Sequence, residues 1–265
     1  MAHYLLKIEL KVEQYLHRSF VCFLCASTAG AGTVSFGDTA NYWPGWNNTK
    51  NGTGDDSQDT IGEPDFTGGT ATFSSTGKLT GLSFTVSNPV APSSWNANIS
   101  PGDLFIDVNS DQNWDYVVHL TGISGWQAGH LSTVVGQGSY SIYAVNIPLG
   151  STSAYVLSGT DNSGLWSGFL IRDGHPVTLS NGSLPTSSYG TVDFSGWGTD
   201  PSFDFSKLPN GGLTFSNLTI GWTVNCANDV LYEHIKPVPE PATMLLLGTG
   251  LIGLAGYRAR RRAKN

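Results

Sequence analysis

An all-β fold, an antiparallel two-sheet sandwich of jelly-roll or lectin-like type, is what this 265-residue sequence predicts. Short apolar runs recur between residues 32 and 235, separated by Gly, Asn, Pro and Ser. Within them the period is two: Leu82, Phe84 and Val86 alternate with Ser83, Thr85 and Ser87, as in a half-buried strand. No helical period interrupts the series, and 33 glycines leave few stretches able to sustain a helix. Roughly 200 residues of such pattern suit one domain of two packed sheets. A propeller would need a repeat of roughly 40 to 50 residues, and none is present.

The first 31 residues read as a signal peptide. Lys7, Lys11, His17 and Arg18 precede the short apolar segment Phe20 to Ala26, and Ala29-Gly30-Ala31 supplies the small residues a signal peptidase reads, predicting cleavage after Ala31. An uncleaved N-terminal anchor is the alternative. If Cys22 and Cys25 leave with this segment, Cys226 is alone in the mature chain and no internal disulfide can form. Its place at the end of an apolar run predicts a small buried residue rather than a nucleophile.

Along residues 32–235 the predicted strands are Ala71 to Ser74, Leu79 to Ser87, Leu104 to Val108, Tyr116 to Thr121, Tyr140 to Asn146, Ala154 to Leu157, Val177 to Ser180, Thr191 to Phe194, Leu213 to Ser216 and Thr219 to Asn225. Residues 38–70 read as a long loop, a length that usually carries a job. Trp43 and Trp46 within it would stack on sugar rings if exposed, or plug the end of the sandwich if not.

Charge is distributed unevenly. Residues 32–237 hold five cations against seventeen carboxylates, a net of −12 within a chain whose total is −7. Such a surface repels nucleic acid and favours divalent cations. Asp107, Asn109, Asp111 and Asp115 stand at relative positions 1, 3, 5 and 9, the spacing at which a calcium loop presents oxygen ligands. Gln112 replaces the usual glycine at position 6 and Val118 the glutamate at position 12, and strands rather than helices flank the segment, so an EF-hand is excluded. The readings left are a looser calcium site or a solvated hairpin whose Asp and Asn residues tolerate turn geometry.

Enzyme signatures are missing from residues 32–235. There is no His-Glu-x-x-His, nucleophile elbow, phosphate-cradling loop or Cys-x-x-Cys, and His119, His130, His175 and His234 lack metal-type spacing. Glu63 and Glu233 lie in no recognisable glycosidase motif. The expectation is a non-enzymatic protein.

The C-terminal segment, residues 236–265, joins Pro239-Glu240-Pro241 to an uncharged run, Ala242 to Tyr257, and then to Arg258, Arg260, Arg261, Arg262 and Lys264. A 16-residue helix reaches about 24 Å, somewhat short of the ~30 Å hydrocarbon core. The arginines nevertheless predict a transmembrane helix over 242–257 with its basic end in the cytoplasm and the acidic body outside. These elements resemble the PEP-CTERM sorting domain of bacteria that build extracellular polysaccharide. The resemblance implies recognition by an exosortase, a membrane-embedded processing enzyme, and passage from an inner-membrane precursor to the cell surface or extracellular matrix. Gly102-Asp-Leu-Phe-Ile-Asp, Trp114-Asp115-Tyr116 and Cys226-Ala-Asn-Asp-Val230 also resemble segments of the all-β ectodomains joined to that signal. The function expected is therefore that of an exported structural or adhesive protein associated with extracellular polysaccharide. A calcium-assisted carbohydrate-binding module is the alternative, and a polysaccharide-acting hydrolase the third reading.

Overall fold

The computed structural model describes residues 31–46, 59–60, 64–87, 101–120, 137–158, 174–197, 199–225, 227–236 and 241–262. The predicted signal segment, apart from Ala31, lies outside them, as do Cys226 and the polar stretch 47–58. Two compact units are distinguished: a β unit over Gly32–Pro237, and a second made of Met1–Ala31 with Val238–Asn265, to which the C-terminal helix belongs.

Twelve strands make up the described β unit: β1 Gly32–Phe36, β2 Asp65–Phe73, β3 Leu79–Ser87, β4 Leu104–Asp107, β5 Asn113–His119, β6 Gly138–Pro148, β7 Tyr155–Leu157, β8 Pro176–Leu179, β9 Gly190–Ser195, β10 Ser202–Asp204, β11 Leu218–Thr223 and β12 Val230–Ile235. A 3-10 turn, Asn181–Ser183, follows β8. The expected sandwich is corrected here. Ten strands form one antiparallel sheet in the order β1-β2-β3-β10-β9-β6-β5-β4-β11-β12, and β7 with β8 forms a small second sheet.

The large sheet curls until its ends approach, giving a nearly closed barrel. Trp222 of β11 shows this, because its ring meets Phe66 of β2 at 4.9 Å, Phe84 of β3 at 4.5 Å and Phe203 of β10 at 5.5 Å. Strands far apart in the order thus share one interior. At the seam, the Phe66 amide of β2 donates to the Asp229 carboxylate just ahead of β12. Gly68, at φ +116°, carries the register shift that lets β2 bend there, since a Cβ would lie 2.2 Å from the Phe36 carbonyl oxygen.

A second apolar cluster lies on the other face of β4, β5, β11 and β12, holding Trp43, Trp46, Phe105, Trp114, Val117, Tyr155, Leu179 and Val230. This explains why all six residues of β11 are buried. Leu218, Ile220 and Trp222 pack inside, while Gly221 opens the outer face to two indoles: a Cβ there would sit 2.7 Å from Trp114 and 3.0 Å from Trp43.

Several expected elements shift. The loop assigned to residues 38–70 ends early, because β2 begins at Asp65, and β1, β10 and β12 carry too little alternation to stand out. Leu213 to Ser216 is not a strand; Leu213 forms an isolated bridge to Leu79.

Candidate functional site

Asp107, Asn109, Asp111 and Asp115 meet in the turn between β4 and β5, where their oxygens serve the turn's own backbone. Asp107 Oδ1 accepts from the amides of Asn109 at 2.9 Å and Ser110 at 2.6 Å, and Oδ2 accepts from Gln112 at 3.3 Å. Asn109 accepts the Asp111 amide, Asp111 the Asn113 amide and Asp115 the Val108 amide. These are Asx turns, in which a short side chain replaces a backbone acceptor. Ser110 and Gln112 take positive φ of 58° and 69°, so Gln112 supplies the turn conformation usually left to glycine. Burial pushes the Asp115 carboxyl up, the Val108 amide opposes, and Asp107 and Asp111 add repulsion.

Trp43 and Trp46 are placed inside. At 0% and 4% exposure neither offers a ring face to a sugar. Trp43 packs edge-on against Phe105 and Trp114 at 5.1 and 5.3 Å, and its amide donates to His175 Nε2 at 3.2 Å. Trp46 Nε1 donates to the Leu149 carbonyl at 2.6 Å. The loop after β1 thus closes over the outer cluster, with His175 ahead of β8 holding it in place.

Asp103, at 0% exposure, joins the two sheets. Its Oδ2 accepts from Thr178 Oγ1 at 2.6 Å and the Leu179 amide at 2.9 Å, and Oδ1 accepts the Leu120 amide at 3.0 Å. His119 Nδ1 lies 2.9 Å from the same Oδ2. Burial lowers the His119 pKa, but the hydrogen bond and charge of Asp103 outweigh it and leave it raised.

A third acidic group was missed by spacing. Asp38 follows β1, Asp59 precedes β2 and Asp229 precedes β12, yet one carboxylate oxygen from each lies within 4.8 Å of the others. Asp229 is fully buried; its Oδ2 takes the Phe66 amide, while its Oδ1 has no hydrogen-bond partner. Asp38 is 9% exposed and neither of its oxygens is partnered. Burial, then repulsion from Asp229, Asp59 and Glu233, pushes the Asp38 carboxyl up to about 10, opposed by the Ala40 amide, which lies nearby but does not reach hydrogen-bonding geometry. Burial likewise raises Asp229 to about 8; the Phe66 amide opposes this, and Asp59 and Asp65 reinforce it. Half-buried Glu233 on β12 is raised too, by burial and then by Asp59. The net of −12 was the sequence's sole hint, and it named no residue.

In the second unit, α1 spans Pro241–Arg262. Pro239 and Glu240 lie just outside the described residues; Pro241 opens the helix, where a missing amide costs nothing. The basic residues occupy its last turns, where Arg258, Arg260 and Arg261 are exposed and complement the helix dipole, and Arg262 ends it. The transmembrane assignment over 242–257 is corrected: no helix among the described residues is long and apolar enough to cross a membrane. The uncharged run is 16 residues, four of them glycine, and the remaining turns carry arginine. Leu247, Leu251, Ile252 and Leu254 are nevertheless 60 to 73% exposed.

No curated protein and no solved structure matches this chain. Residues 237–262 match the PEP-CTERM protein-sorting motif, which overlays the Pro-Glu-Pro, the helix and its arginines. That motif implies processing by an exosortase and association with the membrane, and it indicates an exosortase-targeted, exported protein.

Proposed function

We propose that the β unit serves at the cell surface or in the extracellular matrix as a non-enzymatic structural or adhesive protein associated with extracellular polysaccharide. The sorting motif at residues 237–262 is the observation that carries this reading. The buried groups add support. His119 is enclosed with Asp103 in a network that bonds β8 to the large sheet, a use that strengthens the scaffold. What weighs against the carbohydrate-binding alternative is that Trp43 and Trp46 are buried.

The test is in the producing cell. Replacing Pro239, Glu240 and Pro241 by alanine should leave the unprocessed chain with the membrane fraction and empty the surface and matrix fractions, read by immunoblot. An unchanged distribution would overturn the sorting route. Deleting the whole protein should weaken retention of matrix polysaccharide, whereas release of reducing ends from that polymer by the purified protein would replace the structural role with a hydrolytic one.

A further inference from the structure

We propose that Asp38, Asp59 and Asp229 form a cation site that takes calcium and clasps the two edges of the barrel. A group of acids is not by itself a site, since carboxylates commonly gather at solvated surfaces. The buried oxygens make the difference here. Asp229 Oδ1 belongs to a side chain at 0% exposure and has no hydrogen-bond partner, and neither oxygen of Asp38, at 9% exposure, has one. Buried polar atoms are nearly always satisfied, so the orphaned oxygens of Asp38 and Asp229, converging with an Asp59 oxygen within 4.8 Å, call for a positive partner.

The chemistry of the donors selects the partner. All three are hard carboxylate oxygens, with no His or Cys in the group, which suits calcium or magnesium over zinc or copper. Calcium–oxygen distances of roughly 2.3–2.6 Å allow ligand oxygens up to about 5 Å apart across the ion, so a 4.8 Å spread fits without rearrangement. Magnesium, with oxygens at about 2.0–2.1 Å, would have to draw the three groups together. Glu233 on β12 adds a further negative neighbour.

Position gives the site its purpose. β1 and β12 are the two ends of the strand order, each paired to one neighbour. Asp38 leaves one end, Asp229 enters the other, and Asp229 already holds β2 through the Phe66 amide. A bound ion would therefore fasten both edges at once and protect strands that otherwise offer unpaired backbone groups to other chains. The site rests on side-chain geometry and would exist whether or not the exported role holds.

Full-length protein stripped of metal, in mild detergent, should take up one calcium ion per chain by titration calorimetry and melt at a higher temperature with calcium than with chelator. Asp38→Asn should weaken affinity by about tenfold or more through the lost ligand charge. Asp229→Asn should do the same while keeping an acceptor for Phe66. Hydrogen exchange in β1 and β12 should rise on chelation. The proposal fails if the stripped wild type binds no calcium, as it would if Asp38 and Asp229 simply share a proton, or if both asparagine variants bind as tightly as wild type.

Discussion

The turn between β4 and β5 and the seam between β1 and β12 are both acidic, yet they treat their carboxylates in opposite ways. In the turn the acids are neighbours in sequence, and Asp107 alone satisfies three backbone amides within five residues. At the seam the acids come from positions 38, 59 and 229, and burial leaves both oxygens of Asp38 and one of Asp229 without a hydrogen-bond partner. Ligand spacing along a chain therefore reports that acids can be brought together. Whether they demand an ion depends on what else is there to satisfy them.

A buried but fully bonded acid sets the scale for this contrast. Asp103→Ala should give the largest effect, a loss of about 3–5 kcal/mol in denaturant unfolding, because His119, Leu120, Thr178 and Leu179 lose their common acceptor. A loss well under this would mean that a satisfied buried carboxylate matters no more than an exposed one. Next, Asp107→Ala should cost about 1–2 kcal/mol, equally in calcium and in chelator, since what it removes is a set of turn hydrogen bonds. Combining it with Asp111→Ala should leave the calcium-dependent rise in melting temperature intact; its disappearance would move the ion from the seam to the turn and reverse the comparison.

The smallest effect is one of pH. The His119 pKa is raised in the folded state, so protonating this side chain favours folding. That contribution is complete below the ordinary histidine value of about 6.5 and fades as pH rises through the higher folded value. Melting temperature should accordingly decline slightly more steeply above pH 6.5 in wild type than in His119→Gln. Identical profiles would mean that Asp103 holds a neutral ring.

Much of the strand pattern was legible because alternation is local. Leu79–Ser87 is a strand with the boundaries its period of two predicts, and the Pro-Glu-Pro, helix and arginine tail are contiguous and so readable without a fold. The short β10 and the glycine-led β1 lacked enough alternating positions to declare themselves. β11 misleads in a different way: its outward residues Thr219, Gly221 and Thr223 are as buried as its inward ones, and at Gly221 the cover is Trp43 and Trp114, brought from other segments of the chain.

By itself the sequence determined an all-β body with an acidic surface, attached to a sorting signal, because periodicity, composition and a contiguous motif are properties of neighbouring residues. Tertiary structure alone decided that the strands close into one curled sheet instead of stacking as two, that Trp43 and Trp46 turn inward, and that three distant aspartates converge. Alternation says which residues share a face of a strand; the long-range pairing that sets what this face meets leaves no mark at short spacing.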